Sequence, residues 1–321
     1  MKSDSTFTQF LKRILTIVKL SIPPALKTCR WLLSLMIPIS FAVTLLNFFG
    51  ILGWLAHFIN PLFNLIGLPG QCSLAYLTGI FLNVYSAIAV MMSLSLSVRQ
   101  MTILALMVLI AHNLIVETII QRKTGSSTLK IILIRVLTSI VGAFILNQFL
   151  PPDVQKTITD TSKAFAQASL MEVSKTWGIN TLLLSLKIIL FINTLMILQK
   201  VLEDFGILKL LSKLLSPFMR MMGLPANTSF LWIVANFLGL AYGGAIMIEQ
   251  LEKKNITSLE TDILNHHTAV SHSQLEDTLL FVTIGVPVLW ITIPRVIFAI
   301  IIVWAYRLWL FKFKNISLKN L

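Results

Sequence analysis

"INPLFNLIGLPGQCSLAYLTGIFL" (59–82) and "LSPFMRMMGLPANTSFLWIVANFL" (215–238) are one segment written twice. At a constant offset of 156 residues Pro61 pairs with Pro217, Gly67-Leu68-Pro69 with Gly223-Leu224-Pro225, Ser73 with Ser229, and Phe81-Leu82 with Phe237-Leu238. The likeness resumes at an offset of 160, where "AHNLIVETII" (111–120) aligns with "SHSQLEDTLL" (271–280). His112 then pairs with His272, Glu117 with Asp277, Thr118 with Thr278, Gly125 with Gly285 and Arg135 with Arg295. Apolar low complexity produces Leu and Ile matches by chance. It does not produce Pro, Gly, His, acid and Arg matches in order, so the chain is read as an internal duplication.

The composition names the solvent of that duplicated unit. Of 321 residues 56% are hydrophobic and 12% charged, against about 25% charged in a soluble domain. No Asp, Glu, Lys or Arg occurs between Trp31 and Val98. The expected fold class is therefore an all-α polytopic membrane protein. Its two repeats are expected to be inverted relative to each other, with broken or re-entrant helices. The excess of 26 Lys and Arg over 13 Asp and Glu lies in short segments beside apolar runs, which is the positive-inside pattern. Nucleic-acid binding is excluded on that distribution. Cys29 and Cys72 provide neither a disulfide framework nor a metal motif.

Five regions are expected: an amphipathic N-terminal segment over 1–30, a first repeat over 31–150, an amphipathic linker over 151–176, a second repeat over 177–311 and a basic tail over 312–321. Within each repeat a long span comes first, then an amphipathic piece ending in Gly-Leu-Pro. A second span (71–97, 226–248), a shorter polar stretch (100–120, 258–277) and a last span follow. "TDILNHHTAVSHSQLED" (261–277) cannot supply the roughly 20 mostly apolar residues of a spanning helix. The polar stretch of each repeat is therefore expected to be re-entrant or a buried helix pair. Three crossings per repeat put 121–135, 200–220, Arg99 and the C-terminal basic residues on the cytoplasmic face of a bacterial-type plasma membrane, with both termini. They put 58–70, 151–176 and 249–262 outside. An odd crossing number inverts the second repeat, a recurring arrangement in secondary transporters.

Two Gly/Pro-broken apolar units, each ending in a His-centred polar stretch (59–125 and 215–285), resemble the Gate or nucleoside recognition domain. That domain occurs in concentrative nucleoside transporters, in the membrane part of ferrous iron transporter B and in spore maturation proteins A and B. The chain lacks the GxxxxGK[ST] phosphate loop of the iron transporter, so nothing in it couples nucleotide hydrolysis to movement. The resemblance implies a permease for a small polar, nucleoside-like solute or a cation. It allows, alternatively, a non-transporting membrane scaffold working with a partner in envelope or spore-type maturation.

Ionisable groups at membrane depth are functional candidates by default. His112, Asn113 and Glu117 in the first repeat and His272, Ser273, Glu276 and Asp277 in the second are expected to converge across the repeat interface, forming a site for a solute, a cation or protons. On one straight helix His112 and Glu117 stand about 140° apart and cannot hold one ion together. A purely structural reading pairs Glu117 with Arg135 and Asp277 with Arg295, each arginine following its acid by 18 residues. Asn83 and Tyr85 in "FLNVYSA" and, allowing one gap, Tyr242 in "FLGLAYGGA" are further ligand candidates where the second spans are interrupted. His266, His267 and His272 lack a neighbouring Cys and form only a weak zinc pattern; the metal is left unknown. No nucleophile–base–orienter set, GxSxG or HExxH occurs, so no enzyme activity and no cofactor are expected. The expected partners are a small-molecule or ion substrate, the lipid bilayer, and a second copy or another membrane protein.

Overall fold

The computed structural model describes residues 2–152 and 169–314. Among these, fourteen α-helices and no strand are present. The first half comprises α1 (Lys2–Phe48), α2 (Ile51–Leu65), α3 (Cys72–Phe81), α4 (Val84–Met92), α5 (Val98–Ala111), α6 (Leu114–Lys123) and α7 (Thr128–Phe149). The second comprises α8 (Leu170–Asp204), α9 (Ile207–Met219), α10 (Ser229–Phe237), α11 (Leu240–Glu252), α12 (Ser258–Ser271), α13 (Glu276–Val282) and α14 (Val288–Lys314), with a 3₁₀ turn at Ala226–Thr228 before α10. Helix for helix the halves correspond at the two sequence offsets.

The Gly-Leu-Pro motifs end α2 and α9 by the same device. Gly67 (φ 77°) and Gly223 (φ 76°) adopt the left-handed conformation. Leu68 N–H then reaches back to Phe63 O (3.0 Å) and Leu224 N–H to Met219 O (2.8 Å), closing the last turns. The polar residues that follow are not helix caps: neither Gln71 nor Thr228 accepts a backbone N–H through its side chain.

Among the described residues five helical segments are long and apolar enough to cross a membrane: 8–48, 98–123, 128–149, 170–204 and 288–313. The counterpart of 98–123 is the polar pair α12–α13. Both pairs, α5–α6 and α12–α13, are broken crossings. Arg99, at the start of α5, donates to Asn147 O near the end of α7 (2.5 Å). Gly125, just past α6, lies by the start of α7. Arg135, between them on α7, donates to Ile110 O (2.8 Å) and His112 O (2.6 Å) at the break. The polar stretch is thus not re-entrant. Protein buries its polarity: Asn265, His267, Thr268, Ser271 and His272 are all 0% exposed.

The re-entrant elements are the segments expected to be second spans. α3 has 10 residues and α4 has 9, each about 15 Å long and half the hydrocarbon thickness. A Cβ on Gly79 would lie 3.4 Å from Ala87 Cβ, a contact eight residues apart that a straight helix cannot make. Gly243 against Ala235 repeats the contact in α10–α11 (3.0 Å). Each pair is a helical hairpin entering and leaving on one face, and the crossing number stays odd.

Equivalent helices α1 and α8 lie side by side and antiparallel. Arg13 pairs with Asp204 at one end, and Trp177 Nε1 donates to Ser40 Oγ (3.1 Å) at the other. The two halves are therefore inverted. α1 runs 47 residues without a break, so residues up to 30 continue into the first span rather than forming a separate in-plane helix. α8 begins at Leu170, inside the expected linker, and α14 runs to Lys314, inside the expected tail. Residues 153–168 and 315–321 lie outside the described residues.

Two loops change face relative to expectation. Ser126 Oγ donates to Asp262 Oδ1 (2.6 Å), which puts 249–262 on the face of Arg122 and Lys123. Arg99 moves to the opposite face with Asn147. Both changes follow from exchanging which piece of each repeat folds back.

Candidate functional site

The breaks in α5–α6 and α12–α13 meet at the centre. Each break turns on one non-glycine residue in the left-handed region, Asn113 (φ 49°) and Ser273 (φ 50°). Such a conformation is uncommon for non-glycine residues. It is held here by the hairpins: Asn113 N–H donates to Gly79 O (2.8 Å) and Ser273 N–H to Ala235 O (3.0 Å). The two arginines seal the opened helix ends. Arg135 binds the carbonyls of Ile110 and His112. Arg295 binds Val270 O (3.1 Å) and His272 O. Both arginines are fully buried.

Around this frame the ionisable side chains cross between halves. His112 Nε2 lies 3.4 Å from Glu117 Oε1 of its own half and 3.1 Å from Asp277 Oδ2 of the other. His272 Nε2 lies 3.0 Å from Glu117 Oε2 and 3.4 Å from His112 Nε2. Because the helix is broken at 112–113, the straight-helix separation of His112 and Glu117 does not apply. Arg135 Nη1 faces Glu117 Oε2 at 2.7 Å. The matching Arg295–Asp277 pair does not form: among the described residues Asp277 is within ion-pair distance of His112, while Arg295 donates to Thr278 Oγ1 (3.3 Å). His112, Glu117, His272 and Asp277 are 5%, 6%, 0% and 5% exposed.

Glu276 sits beside this group. Its Oε1 accepts from Tyr85 OH of the first hairpin (3.1 Å), and its Oε2 from Gln199 on α8 (3.4 Å). Asn83 is the N-cap of α4, accepting Ser86 N–H at 2.9 Å, and so shapes the hairpin tip. Tyr242 departs from expectation. The helix starts align Asn83 with Gly239, so Tyr85 corresponds to Ala241 without a gap. Tyr242 is 44% exposed and donates to Glu203 (3.0 Å), away from the central group. The three second-half histidines diverge. His266 stacks on Tyr306 (3.7 Å between ring centres), His267 faces Trp232 and Ser271, and only His272 reaches the centre.

Thr278, Gln199 and the Gln121–Asn265 pair are the residues that sequence reasoning passed over. Asn265 Nδ2 donates to Thr124 Oγ1 (2.8 Å) and Ser126 Oγ (2.9 Å), and Gln121 Nε2 to Asn265 O (3.0 Å). This uncharged seam binds the halves on one side of the charged cluster. Its only sequence signal is a run of amides and hydroxyls in otherwise apolar helices.

Two cavities flank the α1–α8 pair. One of about 480 Å³ is lined by Ser40, Thr44, Asn47, Thr176, Asn180 and Lys187 among others. The second, about 340 Å³, is lined by Ser21, Pro24, Met196, Lys200, Glu203 and Tyr242 among others. Ser40 corresponds to Met196, Thr44 to Lys200 and Asn47 to Glu203 at the offset of 156. The cavities are thus images of each other under the inversion and open at opposite faces.

Inverted repeats, paired re-entrant hairpins and broken crossings meeting on buried charges define an integral membrane protein of transporter-like architecture. The chain belongs to the Gate family, described as nucleoside recognition, which matches residues 29–126 and 185–306. An uncharacterized membrane protein of Bacillus subtilis (strain 168), YvoD, is 31% identical over 282 residues, covering 86% of this chain and 89% of that protein. No solved structure matches the chain.

Proposed function

We propose that this protein is a secondary transporter or permease of a bacterial plasma membrane, moving a small polar, nucleoside-like solute or a cation through the interface between its halves. One observation carries the reading. Charged groups from two oppositely oriented halves converge on hairpin tips and helix breaks, where burying them is costly and so marks a functional site. The two inversion-related cavities provide an approach from each face, as alternating access requires. Basic residues of α9, of the 122–130 segment and of the end of α14 share one face, and the positive-inside rule makes that face, with both termini, cytoplasmic. We assign the chain no catalytic activity.

Uptake into proteoliposomes tests this. Labelled nucleosides and divalent metal ions are offered to wild type and to a His112→Ala/His272→Ala double variant. Uptake by wild type that the double variant lacks is expected. An equal blank from both ends the transport reading. A second reading, a membrane scaffold acting with a partner protein, has its own supporting observation: the central charges are paired and sealed from solvent rather than open to a hydrated cavity.

A further inference from the structure

The central cluster has the donor set of a metal site. Both imidazoles turn Nδ1 to a backbone carbonyl, His112 to Val108 O (3.2 Å) and His272 to Thr268 O (2.8 Å). A carbonyl only accepts, so Nδ1 is assigned the hydrogen and the neutral ring keeps its lone pair on Nε2. This partner arrangement is the one that orients metal-binding histidines. When both rings are neutral, as metal binding requires, the two Nε2 lone pairs face each other at 3.4 Å, with Glu117 and Asp277 oxygens around them. Glu117 Oε2 and Asp277 Oδ2 are buried and accept no hydrogen bond of good geometry among the described residues. Three electron-pair donors, the two imidazoles and the Glu117 carboxylate, therefore converge, with Arg135 Nη1 against the outer side of the group, 2.7 Å from Glu117 Oε2.

Their spacing is informative. Tetrahedral coordination with bonds of about 2.0–2.1 Å puts ligand atoms about 3.3–3.4 Å apart. The observed separations are 3.4 Å for Nε2–Nε2, 3.4 and 3.0 Å for Nε2 to the Glu117 oxygens, and 3.1 Å for Nε2 to Asp277. The facing atoms of His112, Glu117 and His272 all lie within 4.8 Å of one another.

We propose that His112, His272 and Glu117, with Asp277 standing 3.1 Å from His112, bind one divalent transition-metal ion that bridges the two halves. Two imidazoles and carboxylates form a borderline set suited to zinc, cobalt, manganese or ferrous ions, rather than to magnesium or calcium. Arg135 holds Glu117 in place, and Arg295 holds the carbonyl of His272. This deepens the cation arm of the transport reading and rests on it only where movement is concerned.

The test is cobalt titration of the purified, chelator-treated protein in detergent. Visible ligand-field bands of one low-symmetry ion, displaced by zinc, are expected. His112→Ala and His272→Ala each weaken binding by about 100-fold or more, while His267→Ala, a buried histidine outside the cluster, leaves it unchanged. Wild type without bands at millimolar cobalt overturns the site, as does a band that survives in folded His112→Ala. If the variants do not fold, X-ray absorption of zinc-loaded wild type decides. Two imidazole and one or two carboxylate ligands support the site, and any other ligand set overturns it. Metal bound without uptake ends the transport reading and leaves the site standing. Nucleoside uptake by a protein without cobalt bands does the reverse.

Discussion

Arg135 and Arg295 hold corresponding positions and do different work. Each guanidinium takes the carbonyls freed where a helix breaks, but only Arg135 also faces a carboxylate, at 2.7 Å. Removing one partner of a buried ion pair typically costs about 3–5 kcal/mol because the other charge stays buried. Arg135→Met is therefore expected to lower the thermal transition of the detergent-solubilised protein sharply, and a near-wild-type transition would refute the pairing. Adding Glu117→Gln to Arg135→Met should recover part of the loss. Tyr242→Phe, by contrast, removes one hydrogen bond from a 44% exposed ring and should change stability by no more than about 0.5 kcal/mol. At this scale the sequence was informative about identity. The His, acid and Arg residues stand out because nothing but chemistry or close pairing retains them in an apolar chain. Their partners were not legible: the 18-residue spacing suggested that Asp277 would face Arg295, yet Asp277 reaches across to His112.

At the scale of elements, the hairpins depend on small residues where their arms cross. Gly79 is flanked by Val108 and Ala87, and Gly243 abuts the backbone of Ala235. Gly79→Leu and Gly243→Leu are each expected to cost about 1–3 kcal/mol through overpacking, seen as a lowered thermal transition. Gly178→Leu, with open space around its Cβ position, is the control and should cost little. Asn83→Ala removes the cap of α4 and should cost about 1 kcal/mol. The exchange of roles between the second and fourth pieces of each repeat belongs here. A half-length hairpin arm and half of a spanning helix have the same 3.6-residue period and the same apolar content. The close approach of Gly79 to Ala87, and of Gly243 to Ala235, distinguishes a chain that turns back from one that continues.

Over the whole molecule the prediction concerns faces. Single cysteines replacing Lys123 and Lys254 should react with a membrane-impermeant maleimide from the same side, and cysteines replacing Ser95 and Lys175 from the other. Labelling of positions 254 and 175 from one side would contradict the fold. The duplication, the membrane environment and the odd number of crossings were all decided by sequence alone, because matched Pro, Gly, His and Arg positions and the scarcity of charge are properties of the chain before it folds. Which piece re-enters, which face 249–262 occupies, and which histidine meets which acid were decided only by tertiary structure. Those outcomes depend on contacts beyond the reach of one helical turn, from the 8 residues between Gly79 and Ala87 to the 165 between His112 and Asp277, and local periodicity carries no record of such a partner.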